Sequence, residues 1–480
     1  MKKFLKVLGI VFLILTGVVL FRTFTFKSKQ IKVQLAPIIS LNDSCVVHLQ
    51  KAIRFKTISY DGANTIDTSQ FKGFQDFLIK TYPLVFSKMD VEKVNDFSLI
   101  LRWKGKSAKT KPIILMAHQD VVPVEKVTEK NWDAAPFSGT IKNNFIYGRG
   151  AIDDKGSLIA ILESAELLLQ QGFIPSSTIY FVFGHDEEIS GLKGAKTIAK
   201  LFEARKIKPA FVLDEGGIIT EYKVPGLNKT TAVVGIAEKG YQTLKLKINI
   251  PGGHSSMPEE KTAIDEMAKA IVKLKENPFQ SELTPIVQNF LAFIGPEMPF
   301  FSKMAMANQW LFASIIKSSY AKSGAGNATI RTTTATTIFN SGIKENLIPG
   351  EAEATINFRT QPGVTQQDVI NHVKNVIDND KIEIIKVGEG NSPKQVADID
   401  DGSFEYIQKT IGKIKKDIIV APYLVLGATD GRYFDKITSQ IFRFTPFTDP
   451  EGFHGVNERI KIADFKNGIN FYYLLMKDYQ

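Results

Sequence analysis

Five short stretches of the chain combine histidine, carboxylates and glycine in ways that suit metal coordination and acid–base chemistry. The first, Ile114-Leu-Met-Ala-His118-Gln-Asp120, sets a carboxylate two residues after a histidine. A neutral imidazole can bind a metal through one ring nitrogen while the other donates to such a carboxylate, although a structural hydrogen bond explains the pair alone equally well. The second, Tyr147-Gly-Arg-Gly-Ala-Ile-Asp153-Asp154-Lys155-Gly156, holds two adjacent acids between glycines. Two buried ionised acids need cations to compensate them, and a metal-bridging carboxylate suits such a place. A dinucleotide-binding loop competes, but it needs a third glycine opening the helix and has no use for the acid pair.

The third stretch, Phe183-Gly-His-Asp186-Glu187-Glu188-Ile-Ser-Gly, puts three acids directly after an apolar run. Acid runs are commonly solvated turns, yet here the preceding run is wholly apolar, so the acids sit at the rim of a core. One of them can ligate a metal while its neighbour serves as a base. The fourth is Phe211-Val-Leu-Asp214-Glu215-Gly216-Gly217, and the fifth joins Gly427-Ala-Thr-Asp430-Gly-Arg432 to Gly452-Phe-His454-Gly-Val-Asn-Glu458. The chain has only six histidines: His48, His118, His185, His254, His372 and His454. Oxygen donors with two imidazoles suit zinc, with cobalt or manganese as alternatives.

The elements that position these groups alternate between strand and helix. Ile113–Ala117, Thr178–Gly184 and Phe211–Leu213 read as buried strands, and Ser157–Gln171 as an apolar-periodic helix, which together predict a largely parallel α/β sheet. Ligand groups collect at the carboxyl ends of the strands in such sheets. From about Lys239 the pattern changes to half-exposed strands (Tyr241–Ile250, Glu351–Phe358, Lys381–Val387) and two helices (Thr262–Lys275, Thr365–Ile377), the mark of a small α+β unit inserted in the chain. The expected divisions are 1–30, a catalytic unit over 31–238 and 396–480, and the insert over 239–395. Within the insert, 283–322 is rich in Phe, Met, Leu and Ile, which predicts a core or an oligomer interface more than the lining of an apolar substrate site.

The chain has 480 residues, 44% hydrophobic, with one cysteine, Cys45, so it has neither an intrachain disulfide nor a thiolate metal cluster. Its formal charge of +10 invites a nucleic-acid reading, but residues 1–32 hold seven cations and no acid, leaving a net +3 for the remainder. No nucleic-acid partner is expected of so nearly neutral a body. Phe4–Phe21 is an almost unbroken apolar run of 18 residues; as a helix it reaches ~27 Å against the ~30 Å of a bilayer core. It reads as a signal peptide or a signal anchor. The following Arg22-Thr-Phe-Thr-Phe has no small-residue cleavage pattern, which favours an anchor that stays attached. Cations flank both ends of the run and do not set its orientation; the expected location is membrane-anchored or exported, with the catalytic unit outside the cytoplasm.

The ordered series His118-x-Asp120, Gly148-Arg-Gly-Ala-x-Asp153-Asp154-Lys-Gly, Asp186-Glu187-Glu188, Asp214-Glu-Gly-Gly, Gly252-Gly-His254-Ser-Ser-x-Pro and His454-Gly-x-Asn-Glu458 resembles the co-catalytic zinc aminoacylase and carboxypeptidase family. The likeness runs from about residue 40 to the C-terminus. Leu213-Asp-Glu-Gly-Gly and Gly427-Ala-Thr-Asp-Gly-Arg-Tyr-Phe434 are most similar to its carboxypeptidase S and N-fatty-acyl amino acid hydrolase/synthase branch.

The resemblance implies a zinc-exopeptidase-like α/β domain with a mainly parallel central sheet, and a ferredoxin-like insert serving as lid and dimerisation domain. It implies two zinc ions bridged by Asp153, with His118 and Asp214 completing one site and Glu188 and His454 the other. Glu187 becomes the general base, Asp120 the partner of His118, and His254 an oxyanion-stabilising group that reaches a neighbouring site. Asn346, Arg359 and Arg432 become substrate contacts, and the Asp153-Asp154 peptide bond is expected to be cis. The implied activity is hydrolysis of an amide beside a free-carboxylate amino acid, in a small peptide or an N-acyl amino acid, with the apolar stretch tilting the preference toward greasy groups. The rival is a membrane-tethered binding protein that keeps the fold without the chemistry. Its mark would be a missing ligand or base, and the five ligands and Glu187 are all present.

Overall fold

The computed structural model of the chain describes residues 1–60, 66–107, 109–392 and 395–480. Its larger unit is built on a mixed sheet in which Asp90–Val94, Ser98–Trp103, Ile179–Gly184, Ile113–His118, Phe211–Asp214, Ile441–Arg443, Thr230–Glu238 and Ile419–Val425 lie side by side in that order, with Ile219–Glu221 paired to Thr230–Glu238. The middle is parallel: Ile113–His118 pairs in parallel with both Ile179–Gly184 and Phe211–Asp214, which in turn pairs with Ile441–Arg443. All six residues of Ile113–His118 are buried, as a strand covered on both faces requires. Its alternate side chains divide between two layers. Ile113, Leu115 and Ala117 join the core under the helix Lys155–Gln170, and Ile114 and Met116 join the core under Ala195–Ala204.

The edges depart from the parallel expectation. Asp90–Val94 and Ser98–Trp103 form an antiparallel hairpin against the sheet, turned at Asn95 and Asp96, both at positive φ (48° and 68°). Asn and Asp tolerate that region better than other side chains, so the turn signal was in the sequence.

The smaller unit begins one residue after the larger sheet's Thr230–Glu238: Lys239 alone separates it from Gly240–Asn249. The Lys239 ammonium is tucked against the carbonyls of Ala328 and Arg331 at 2.8 and 2.7 Å, which ties the junction down. Thr333–Ser341, Glu351–Thr360, Gly240–Asn249 and Ile382–Asn391 follow one another in a fully antiparallel sheet. With the helices Ala263–Glu276 and Gln366–Ile377 this is the ferredoxin-like order. Leu244, Leu246, Ile248, Ala354, Ile356 and Phe358 face those helices in a second core. Lys245 and Lys247 pair with Glu351 and Glu353 on the other face. Both helices start on capping boxes, Thr262 with Asp265 and Thr365 with Asp368.

The apolar stretch 283–322, expected inside the insert, packs instead on the larger unit. The helix Pro285–Ile294 lies on the edge strand Ile419–Val425, with Phe290 5.8 Å from the Tyr423 ring and Phe293 5.5 Å from Phe404. That strand is apolar on both sides and needs cover at the sheet's end. The apolar N-terminal run is a single helix, Lys2–Thr25, longer than the run itself.

The two cores are separate, and Phe358 is fully buried in the smaller one. Phe358→Ala is expected to lower stability by about 3–5 kcal/mol, read by denaturant unfolding as an earlier midpoint for the inserted unit.

Candidate active site

The carboxyl ends of the parallel strands and the loops beyond them converge on one acidic pocket. His118 is the last residue of its strand and only 2% exposed. Its Nδ1 lies 3.0 Å from the Asp120 carbonyl and 3.3 Å from the Asp120 carboxylate. Asp120, wholly buried, also accepts from the Ser59 hydroxyl at 2.7 Å and from the backbone N–H groups of Glu187 and Glu188 at 3.2 Å each. One carboxylate thus orients the histidine and pins the turn that carries the two glutamates. This is the arrangement by which an outer acid sets the tautomer of a metal-ligating imidazole.

Asp153 stands at the middle. Its Oδ1 is 2.8 Å from His118 Nε2 and its Oδ2 is 2.8 Å from His454 Nε2, so the two oxygens are divided between two imidazoles. The Asp153-Asp154 peptide bond is cis. Glu458, 0% exposed, holds the strand-to-helix turn from behind. It accepts the N–H groups of Gly150, Ile152 and Asp153 at 3.0, 2.9 and 3.2 Å and pairs with Arg149 at 2.7 Å. Glu188 reaches within 3.4 Å of His454 Nε2.

Asp214 does not join this cluster. Its carboxylate accepts the Gly431 N–H at 2.5 Å, while Glu215 places Oε1 3.4 Å from His118 Nε2. Consecutive residues at a strand end point to opposite sides. Asp214, the last strand residue, therefore turns toward the 429–432 loop and Glu215 turns into the pocket. Among the described residues, two groups have donor atoms close enough to share an ion, His118 with Asp153 and Glu188, and His118 with Asp154 and Glu215. The Glu-Gly-Gly context of Glu215 was readable, but adjacent acids cannot be ranked without the strand's phase. Glu458 was readable as the last residue of the His454 motif, but its role as a positioning group was not, because its partners Arg149, Gly150, Ile152 and Asp153 lie some three hundred residues earlier in the chain.

The electrostatics fit cations. Burial pushes the carboxyls of Glu187, Glu188, Glu215 and Asp154 above the usual carboxylate range, and their mutual repulsion adds to it. Burial acts on Asp153 too, but hydrogen bonds from the two histidines more than offset it and hold it low. Hydrogen bonds to Asp153 and Glu188 lift His454 to about 10. Arg432 is the cation beside Glu187, with Nη1 4.0 Å from its Oε1, and the guanidinium is held by the carbonyls of Thr429 and Ser190. Crowded oxygen donors and two imidazoles, short of compensating charge, form a donor set suited to divalent ions.

Behind Glu187 lies Asp430. A Cβ on Gly191, which has φ +65°, would meet the Asp430 carboxylate at 1.9 Å, so only glycine lets the acid approach. The 429–432 loop is itself fastened by Glu238, which accepts from Thr429 N at 3.0 Å and pairs with buried Arg443 at 2.9 Å.

The other expected site residues lie on the smaller unit. His254 is exposed, paired across a short ribbon with Leu347, and its Nδ1 is engaged by Ser256 of its own loop. The Asn346 carbonyl accepts the Ser255 N–H at 3.2 Å. Arg359 lies over the Tyr241 ring at 4.9 Å, on the neighbouring strand. Within one chain these three belong together on the insert and make no contact with the acidic pocket among the described residues.

A metal-binding hydrolase is the class that this fold and pocket define. The family model "Peptidase family M20/M25/M40" matches residues 114–478, and the chain belongs to that family. It is 42% identical over 95% of its length to a probable carboxypeptidase S-like protein of Dictyostelium discoideum, of which it covers 90%. It is 36% identical over 99% of its length to an N-fatty-acyl-amino acid synthase/hydrolase of Danio rerio, covering 96% of that protein. Among solved structures, an M20 family metallo-carboxypeptidase from Sulfolobus solfataricus superposes with a TM-score of 0.67 at 20% identity, over 91% of this chain and 99% of that one. A Bacillus subtilis protein described as a dinuclear metal-binding peptidase of the same family gives 0.55 at 13% identity, over 91% and 99%. The chain is an enzyme of a metallopeptidase family with the α/β fold that its sequence predicts.

Glu215→Gln is expected to lower the divalent metal bound per chain from about two ions, the complement of a two-metal site, toward one. Asp214→Asn should leave it near the native level. Atomic absorption on the two purified variants distinguishes them.

Proposed function

We propose that the chain is a di-zinc hydrolase that cleaves the amide bond of an N-acyl amino acid or small peptide beside a free carboxylate, with a preference for apolar groups. The observation that carries this reading is the Asp153 carboxylate, split at 2.8 Å between His118 and His454, with Glu215 and Glu188 flanking it on either side. His118, Asp153 and Glu215 would hold one ion, and Asp153, Glu188 and His454 the other. When bound, zinc supplies Lewis-acid polarisation of a carbonyl and a lowered pKa for water. The names of the Danio and Dictyostelium relatives support both substrate types, and the absence of a missing ligand or base weighs against a non-catalytic binding protein.

The protein's own groups do the rest. Glu187, buried and next to Asp430, holds a proton more readily than an exposed glutamate, which suits a group that takes a proton from water and gives it to the departing nitrogen. Arg432 borders the same space, its guanidinium 4.0 Å from the Glu187 carboxylate. Asp120 keeps His118 and the 187–188 turn in fixed relation. His254, with Asn346 and Arg359, would act from the inserted unit of a second copy to steady the oxyanion and receive the substrate carboxylate. The outer strand Thr333–Ser341 of that unit, with Ile338 and Phe339 exposed, offers an edge for such a dimer. We read the helix Lys2–Thr25 as a membrane anchor that leaves the catalytic unit outside the cytoplasm.

Three outcomes test this reading. Glu187→Gln should keep its zinc and lose turnover by at least 10²–10⁴-fold, the usual contribution of a general base; native-like activity would refute the assignment. His254→Ala and Glu187→Gln should each be inactive alone, and mixing them should restore part of the activity, because only a mixed dimer contains one intact site. N-lauroyl-phenylalanine should be cleaved faster than Gly-Leu or Z-Gly-Leu, measured as kcat/KM.

A further inference from the structure

The N-terminal helix does not stand free of the body. Its last two turns rest on Phe300–Ala307, the first of two paired helices, the second being Gln309–Tyr320. The buried Asn308 between those helices donates from Nδ2 to the Val19 carbonyl at 3.2 Å and to the Thr23 hydroxyl at 3.3 Å. Arg22 Nε donates to the Ala307 carbonyl at 3.2 Å, and the rings of Phe24 and Phe300 are 5.9 Å apart. The segment that follows is also fastened down. Gln30 bonds the carbonyls of Phe293 and Val420 and the Val420 N–H, and Ala36 N donates to the Lys413 carbonyl. No slack linker separates the apolar helix from the body.

The outer surface of the helix pair is apolar. Phe300 is 43% exposed, Phe301 78%, Trp310 55%, Leu311 43% and Ile315 64%. The Phe300 and Phe301 rings are 5.6 Å apart, and Leu311 and Ile315 are i, i+4 neighbours on one helix face. Scattered exposed apolar residues are ordinary, but a patch of this size marks a contact surface. Its charge identifies the contact. From Pro299 to Ser323 there is no acid, while Lys303, Lys317 and Lys322 carry positive charge, and the adjoining Arg22, Lys27, Lys29 and Lys32 add to it. A cleft of about 640 Å³ opens at the junction, lined in part by Arg22, Phe26, Met306 and Trp310. The adjoining Glu297 is paired with Lys229 at 2.9 Å, and aromatic rings beside lysines, next to an apolar helix, match the headgroup–acyl boundary of a bilayer, where rings sit and anionic headgroups attract lysine.

We propose that the helix pair Phe300–Tyr320 is a second membrane contact, in which Phe301, Trp310 and Ile315 enter the leaflet beside the N-terminal helix. The catalytic sheet, joined to the pair through Pro285–Ile294, is then seated on the bilayer and not suspended above it. An amphiphile with a long acyl chain partitions into that leaflet, so the seat meets such a substrate where it is concentrated. This inference rests on the reading of Lys2–Thr25 as a membrane helix, and the experiment separates the two.

The full-length chain is reconstituted into phosphatidylcholine/phosphatidylglycerol vesicles with and without brominated-acyl phosphatidylcholine, and flotation and tryptophan emission are recorded. Of the three tryptophans, Trp103 is buried and Trp132 half-buried. Native protein should lose emission to the bromolipid, and Trp310→Phe, a conservative change at an exposed site, should lose that quenched component. A chain that floats with the vesicles but is quenched equally with and without Trp310 overturns the second contact and leaves the anchor standing. A chain that does not float overturns both. Ile315→Cys supplies the one exposed thiol of a chain whose own cysteine, Cys45, is buried; disulfide-linked dimers through it, with Trp310 unquenched, would assign the face to a second copy and also overturn the proposal.

Discussion

The site depends on one electrostatic constraint: more carboxylates are gathered at the ends of three parallel strands than the nearby cations can balance. Asp153, Glu187, Glu188 and Glu215 surround two histidines. Like charges brought this close in a water-poor pocket cannot all remain ionised without compensation. Divalent cations relieve that repulsion, and the same arrangement that is costly without them becomes a pair of well-made sites with them.

Much of the surrounding structure keeps that group in place. Asp120 and Glu458 touch few donors of the metal type, yet each fixes several backbone N–H groups, and the two turns carrying Glu187–Glu188 and Asp153 hang from them. Glu238 and Arg443 do the same for the loop of Asp430 and Arg432. Buried acids that hold several donors in this way fix a loop, because releasing a contact leaves buried polar groups unpaired. The inserted unit is organised differently. Its one-sided sheet has its own core and follows the large sheet's Thr230–Glu238 with only Lys239 between them.

The legibility of the molecule in its sequence followed local physics. Strands covered on both faces are unbroken apolar runs, so Ile113–Ala117, Thr178–Gly184 and Phe211–Leu213 stood out, and the two-residue alternation of Glu351–Phe358 revealed a one-sided sheet. The hairpin turned at Asn95 and Asp96 was less visible because its outer strand Asp90–Val94 is mostly exposed and carries no apolar run. The apolar stretch 283–322 was recognised as apolar, but composition does not say which of two cores will bury it. Its placement on Ile419–Val425 depended on an uncovered sheet end over a hundred residues away.

The sequence by itself determined the chemistry: its histidines and acids, their order, the glycines beside them and the apolar strands that end in them specify a metal-dependent hydrolase of a known family. Tertiary structure alone decided which of two neighbouring acids enters the pocket. Asp214 and Glu215 differ by one position, and a strand sends successive side chains to opposite sides, so the choice belongs to the sheet's phase and not to the motif. Tertiary structure likewise brought the N-terminal helix against Phe300–Tyr320, because a contact across almost three hundred residues depends on how both segments pack on the same body.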